Sequence, residues 1–186
     1  MDQFVIRGGR PLTGTVLPSG NKNAALPLMA ATLLTDQPVI LHNLPRIRDV
    51  STMMHLLTAL GVEITELDRN GFRFEANDLR TTRLDSDLCR EIRASILLAG
   101  PMLARLKEVE LPPPGGDVIG RRRVDTHFLA FSKLGAQIQV NGEFRLMAAE
   151  LVGQDILLDE ASVTGTENAI MAAVLAKGTT IFRNAA

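Results

Sequence analysis

Ala24-Ala25-Leu26-Pro27-Leu28-Met29-Ala30-Ala31-Thr32-Leu33-Leu34, followed by Val39-Ile40-Leu41-His42-Asn43, is a helix-like apolar run and then a β-like one. Pro27 fits such a helix in its first turn, where its missing N–H is not needed. The same order returns near the other end. Asn168-Ala169-Ile170-Met171-Ala172-Ala173-Val174-Leu175-Ala176 precedes Thr179-Thr180-Ile181-Phe182-Arg183-Asn184. Both copies carry Met-Ala-Ala in the helix and end the strand in Asn. A third copy lies between them: Arg93 to Leu106 is apolar all round apart from Gly100-Pro101, and Val109-Glu110-Leu111 follows. The three strand runs recur about every 70 residues, a spacing that signals internal repetition.

A second module alternates with the first. Asp49 to Leu60 sets Val50, Met53, Met54, Leu57 and Leu60 on one helical face, and Gly61 suits the C-terminal cap. Val62-Glu63-Ile64 and Phe72-Arg73-Phe74 alternate as strands do, with Asn70-Gly71 as their turn. The order recurs with Val124, Phe128, Phe131 and Leu134 on a helix, then Gly135, then strands at 136–140 and 144–147 around Asn141-Gly142. The unit is helix, strand, helix, strand, turn, strand. Two units are complete, and the third is expected to lack its second helix and hairpin. An α/β domain of three such units around buried helices is the architecture this pattern implies.

Hydrophobic residues make up 46% of the 186 and charged residues 22%, values of a folded globular chain. A formal charge of −1 gives no support for a nucleic-acid or anionic-membrane partner. The longest apolar run is too short to span a bilayer, and the first ten residues lack a signal-peptide core. The lone Cys89 excludes an intrachain disulfide and a cysteine-rich zinc site, and suits a reducing cytoplasm. His42, His55 and His127 have no metal-ligand spacing, so no metal or cofactor is expected.

Four segments carry groups suited to chemistry. Ser19-Gly20-Asn21-Lys22-Asn23 puts a lysine at a helix N-terminus, where backbone N–H groups and the cation together favour an anion; the spacing is not that of a P-loop. Pro112-Pro113-Pro114-Gly115-Gly116-Asp117 leads through Val118-Ile119-Gly120 to Arg121-Arg122-Arg123, a stiff approach, a turn and a run of phosphate-matching forks. Arg93 stands among apolar neighbours and needs an anionic partner, either a carboxylate such as Asp85 or Asp87 or a ligand. Asp159 to Thr166 precedes the third repeat's helix, where Ser162 and the threonines could cap it or hold a ligand oxygen.

Ser19 to Pro27, Arg93-Ala94-Ser95 with Gly100-Pro101, Pro114 to Gly120 with Arg122, Val124, Asp125 and His127, and Ser162 to Asn168 together resemble the UDP-N-acetylglucosamine enolpyruvyl transferases, in order and from Asp2 to Ala186. The resemblance implies an inside-out α/β barrel of the kind shared with the EPSP synthases. It implies two such domains, with residues 1–20 pairing into the second and 21–186 forming the loop-bearing domain, truncated in its third repeat. It implies transfer of the enolpyruvyl group of phosphoenolpyruvate to the 3′-hydroxyl of UDP-N-acetylglucosamine, in the cytoplasm, for peptidoglycan synthesis. The missing C-terminal half of the same enzyme is the implied partner. Lys22 and Arg122 would hold phosphoenolpyruvate, and Asn23, Arg93, Arg122, Arg123, Val124, Asp125, Thr126, Ser162 and Val163 would line the nucleotide-sugar site. Asp117 stands where many members carry the cysteine that fosfomycin alkylates, and is expected to serve as a general acid and to confer resistance. Arg123 and Glu160 also depart from the common pattern. A non-catalytic nucleotide-sugar-binding fragment is the alternative; an EPSP synthase is less favoured, because its first loop reads Ser-Lys-Ser where this chain has Asn21-Lys22-Asn23.

Overall fold

A computed structural model describes residues 3–116 and 123–186. The first unit runs α1 (Lys22–Ala31), a 3₁₀ turn at Thr32–Leu34, β1 (Val39–Leu41), α2 (Arg48–Leu60), β2 (Glu63–Asp68) and β3 (Gly71–Glu75). The second has α3 (Ser86–Glu91), a 3₁₀ segment Arg93–Leu98, α4 (Ala99–Leu106), β4 (Glu108–Leu111), α5 (Asp125–Lys133), β5 (Gln137–Val140) and β6 (Phe144–Met147). The third has β7 (Asp155–Leu157), α6 (Val163–Ala173) and β8 (Ile181–Arg183).

The sheets repeat as the sequence does. In the first two units the single strand pairs antiparallel with the returning arm of the hairpin, Val39 opposite Phe74 and Glu108 opposite Met147. The orders are β1-β3-β2 and β4-β6-β5. In the third unit β8 pairs with β7 in parallel, Ile156 opposite Phe182. A parallel bridge from Arg83 to Glu110 marks the same approach to β4. The short strand ahead of the first helix is therefore part of the unit. Three residues, Asp155-Ile156-Leu157, are too few for an alternating pattern to expose it.

Helices fill the inside and sheets the outside. α4 packs on α6, α1 on the Arg93–Leu98 segment and on α6, α2 on α1, and α5 on α6. Met29, Ala30, Leu33, Ala99, Met102, Leu103, Ala169 and Ala172 are wholly buried. Small residues let these helices approach closely. A side chain on Gly100 would begin 2.4 Å from Asn168 Oδ1 and 2.5 Å from its carbonyl oxygen. Phe74 and Phe131 close the core from the sheet side and from α5, each contributing roughly 1.5–3 kcal/mol by burial.

Four local expectations are corrected. The helix read from Arg93 to Leu106 breaks into a 3₁₀ segment and α4, and a separate α3 precedes it; Ile92 between them is extended, at φ −132° and ψ 134°. Pro101 then lies in the first turn of α4, where it displaces no hydrogen bond. Pro27 sits well past the first turn of α1 and cannot give the Asn23 carbonyl its usual partner. The first hairpin turns at Arg69-Asn70, and Gly71 is already strand; its hydrogen faces the Asp68 carboxylate, which a Cβ would meet at 2.6 Å. The helix of the third unit starts at Val163, five residues before the apolar run that betrays it.

Candidate functional site

The first turn of α1 forms one wall of the site. Gly20 passes so close to Asn43 that a Cβ would lie 1.8 Å from its carbonyl oxygen. The Asn21 side chain caps the helix by accepting from the Asn23 N–H at 2.7 Å. Lys22 projects from this turn and its Nζ lies 2.9 Å from Asp49 Oδ2, in the first turn of α2. Both groups are half-exposed, so this pair is worth little to stability and orients the ammonium instead.

A cavity of about 290 Å³ opens beside the pair. Lys22, Asn23 and Pro27 of α1 line it with Asp49, with Arg93 and Leu97, and with Val163, Thr164 and Glu167 of α6. The structure thus brings Lys22, Asn23, Arg93 and Val163 to one concavity.

Arg93 also organises the loop that follows β4. The Gly115 N–H donates to the Cys89 carbonyl and the Gly116 N–H to the Arg90 carbonyl, each at 3.0 Å. A Cβ at Gly115 would lie 1.9 Å from the Arg90 carbonyl oxygen, and Gly116 has φ +84°. On the far side of the loop Arg93 Nη2 donates to the Arg123 carbonyl at 3.0 Å. Both ends of the loop are thereby tied to the segment 89–93, at the rim of the cavity. Asp117 and Arg122, like Arg121, lie outside the described residues. The carboxylates considered for Arg93 are engaged elsewhere: Asp85 caps α3, and Asp87 lies 3.0 Å from Arg90.

The Arg123 guanidinium turns away onto Asp125 at 2.7 Å and toward Asp159 at 3.8 Å. Its pKa rises because Asp125 accepts its hydrogen bond, with the Asp125, Asp159 and Glu160 charges adding to the effect and desolvation opposing it. Thr126 is buried, and its hydroxyl donates to Asp159 at 2.7 Å. Val124 precedes α5 as its cap residue, and Ser162 caps α6 by accepting from the Gly165 N–H at 3.2 Å. Arg123, Val124, Asp125, Thr126 and Ser162 do not line the cavity; among them Arg123 meets a lining residue, through its carbonyl and Arg93.

A buried chain of hydrogen bonds stands behind that wall. Asn168 Oδ1 accepts from the Gly100 N–H at 2.7 Å, and Nδ2 donates to the Ile96 carbonyl at 2.7 Å and to His127 Nδ1 at 3.0 Å. Nδ1 therefore carries no proton, so Nε2 does, and it faces Thr164 Oγ1 at 3.4 Å. Burial, with help from the nearby Arg93 charge, lowers the His127 pKa to about 4. The imidazole is neutral at pH 7, and it holds Thr164 with the hydroxyl proton free to face the cavity. Cys89 is buried, which raises its thiol to about 11, so it is no nucleophile. The described residues hold no cluster of three groups able to bind a metal ion, and no helix among them is long and apolar enough to cross a membrane.

Reading the sequence did not assign Asp49, Glu167 or Leu97 to the site, and offered Thr164 as one of several groups able to cap the helix or hold a ligand oxygen. Thr164 and Glu167 lie inside the Ser162–Asn168 motif, where helical spacing puts them one turn apart on a shared face.

The profile of the family described as EPSP synthase (3-phosphoshikimate 1-carboxyvinyltransferase) matches residues 6–186. A UDP-N-acetylglucosamine 1-carboxyvinyltransferase of Treponema denticola is 54% identical over all 186 residues, which cover 44% of that protein. One from Bradyrhizobium diazoefficiens is 54% identical over 99% of this chain and 43% of its own. The chain thus spans less than half the length of the curated relatives it matches. Among solved structures, the enolpyruvyl transferase NikO from Streptomyces tendae superposes with a TM-score of 0.79 at 22% identity, over 95% of this chain and 42% of that one. An EPSP synthase from Acinetobacter baumannii gives 0.70 at 16% identity, over 90% and 39%. At such identities these two speak to the fold alone.

Proposed function

The chain belongs to the EPSP synthase family, and from that membership we propose that it is the loop-bearing part of an enolpyruvyl transferase whose acceptor is UDP-N-acetylglucosamine. The observation that carries the reading is the convergence of Lys22, Asn23, Arg93 and Val163 on one cavity, with both ends of the Asp117 loop anchored at its rim. The names and identities of the relatives support the same acceptor.

In this reading Lys22 and Arg122 clamp the phosphate and carboxylate of phosphoenolpyruvate, and stabilise charge where it develops. The Asp117 carboxyl gives its proton to the methylene carbon while the sugar 3′-oxygen bonds to the adjacent carbon and passes its own proton to a base supplied by the rest of the longer enzyme. A tetrahedral intermediate results. The Asp117 carboxylate then takes a proton back from the new methyl group as the carbon–phosphate oxygen bond breaks; this restores the double bond and releases phosphate, which carries off the proton that the hydroxyl gave up. Asn23, Arg93, Arg123, Val124, Asp125, Thr126, Ser162 and Val163 serve the nucleotide sugar. The reaction would be the cytoplasmic commitment to peptidoglycan, and hence to cell-wall growth, shape and division. No cofactor, nucleic acid or membrane enters it.

The domain assignment belongs to the same proposal. A groove of about 550 Å³ runs between α1 and α6, lined by Leu28, Ala31, Ile170 and Met171. α2 packs on α1 and on the Arg93–Leu98 segment of the next unit, and α5 packs on α6 of the next unit; by the same pattern the second helix of the third unit would lie in this groove between α6 and α1. Phe4, Ile6, Leu12 and Leu17 are 88–98% exposed in residues 3–20, as a segment destined for the second domain would be.

Asp117→Asn in the longer enzyme tests the chemistry. Turnover should fall at least about 100-fold, the usual scale of a general acid, while nucleotide-sugar binding persists; an unchanged rate would remove Asp117 from the mechanism. Fosfomycin should not inhibit, since a carboxylate is a poor nucleophile toward its epoxide.

A further inference from the structure

Glu167 is a charged group in the cavity for which the proposed reaction has no task. It stands on α6 in the wall that the cavity shares with the α1/α6 groove, beside Asn23 and Pro27, which border both. The side chain is partly buried, and burial raises its pKa above the ordinary glutamate value. It makes no hydrogen bond or ion pair to another described residue.

A carboxylate in this position divides the cavity by charge. Lys22, held by Asp49, and Arg93 favour phosphate or carboxylate oxygens on their side. Glu167 repels such oxygens from its own side and can only accept hydrogen bonds while ionised. Its natural partner is a neutral donor, a hydroxyl or an amide N–H. Asn23 and Pro27 line the same wall, and Pro27 has no N–H to offer the Asn23 carbonyl, which leaves that oxygen without its usual helical donor. Thr164, one turn before Glu167, completes the face with a hydroxyl fixed from behind by His127.

We infer that Glu167 is a specificity-determining residue of the acceptor site: together with the Asn23 carbonyl it accepts hydrogen bonds from the hydroxyl and amide N–H groups of a neutral sugar ring, and so separates a sugar nucleotide from the bare nucleotide. The inference rests on the acceptor reading above. A site built to hydrogen-bond a hydroxyl or amide leaves its own acceptors unpaired when the ligand lacks that group, and this penalty produces selectivity.

Calorimetric titration of the longer enzyme with UDP-N-acetylglucosamine and with UDP tests it. The unmodified enzyme should bind the sugar nucleotide more tightly than UDP. Glu167→Ala should weaken UDP-N-acetylglucosamine about tenfold and leave UDP within about twofold, the size of one lost hydrogen bond to a charged acceptor. Glu167→Gln keeps one acceptor oxygen and should recover part of the loss. Equal weakening of both ligands would mean a structural role, and no weakening of either would mean no contact; each overturns the inference while leaving the acceptor reading intact. An unmodified longer enzyme that binds neither ligand would overturn both.

Discussion

His127 is the residue whose surroundings most constrain the site. It is neutral in the native state down to about pH 4, whereas in the unfolded chain it takes up a proton near pH 6.5. Between those values the unfolded state binds more protons, so native stability is complete above about 6.5 and falls as the pH drops toward 4. Its share of the loss from pH 7.5 to pH 5 should be about 2 kcal/mol at about 1.4 kcal/mol per unit. Urea unfolding at the two pH values measures it. His127→Gln should be less stable at neutral pH and show a flatter pH dependence; equal slopes in both proteins would assign the loss to other groups. The sequence offered His127 as an isolated histidine without metal spacing and as one residue of the family match, with no role attached. Its role depends on Asn168, 41 residues away, and no local pattern announces such a pair. Lys22 was legible because its loop and helix are contiguous. Asp49, its partner, belongs to the next helix and reads locally as nothing more than an acidic first-turn residue.

At the scale of elements, the contact between α4 and α6 decides whether Arg93 and α6 face the same cavity. Gly100 is its narrowest point. Gly100→Ala would set a Cβ against Asn168, whose side chain also bonds the Gly100 N–H and His127. The expected cost is about 1–3 kcal/mol, more than the helix-propensity gain of replacing glycine. Thermal unfolding checks this, and an alanine variant as stable as the parent would show that the two helices part easily. Helices and hairpins were legible wherever the apolar period was long, as in α2 and α5. The pattern failed at short elements: β7 has three residues, and α3 has one fully buried side chain, Cys89. It also ran the Arg93–Leu98 segment into α4, because a 3₁₀ turn with Ile96, Leu97 and Leu98 all buried has the same apolar composition as a helix.

For the whole molecule, the repeat of about 70 residues in the sequence returns as three units whose first helices meet in the middle and whose sheets face outward. Two units carry a hairpin; the third ends its described structure at β8, and Leu28 and Ile170 stay about half exposed on the seam between α6 and α1. The cavity lies beside that seam, and Arg93 in its wall bonds the Arg123 carbonyl where the described chain resumes after the loop. In the proposed reading its remaining walls come from the further part that the longer relatives have. The most direct test is phosphate release from phosphoenolpyruvate by the chain combined with the remaining segment of the longer protein, with and without UDP-N-acetylglucosamine. Release that requires the nucleotide sugar and continues in fosfomycin is the expected result. Release that ignores the nucleotide sugar, or none from the completed enzyme, would contradict the assignment of this cavity to enolpyruvyl transfer.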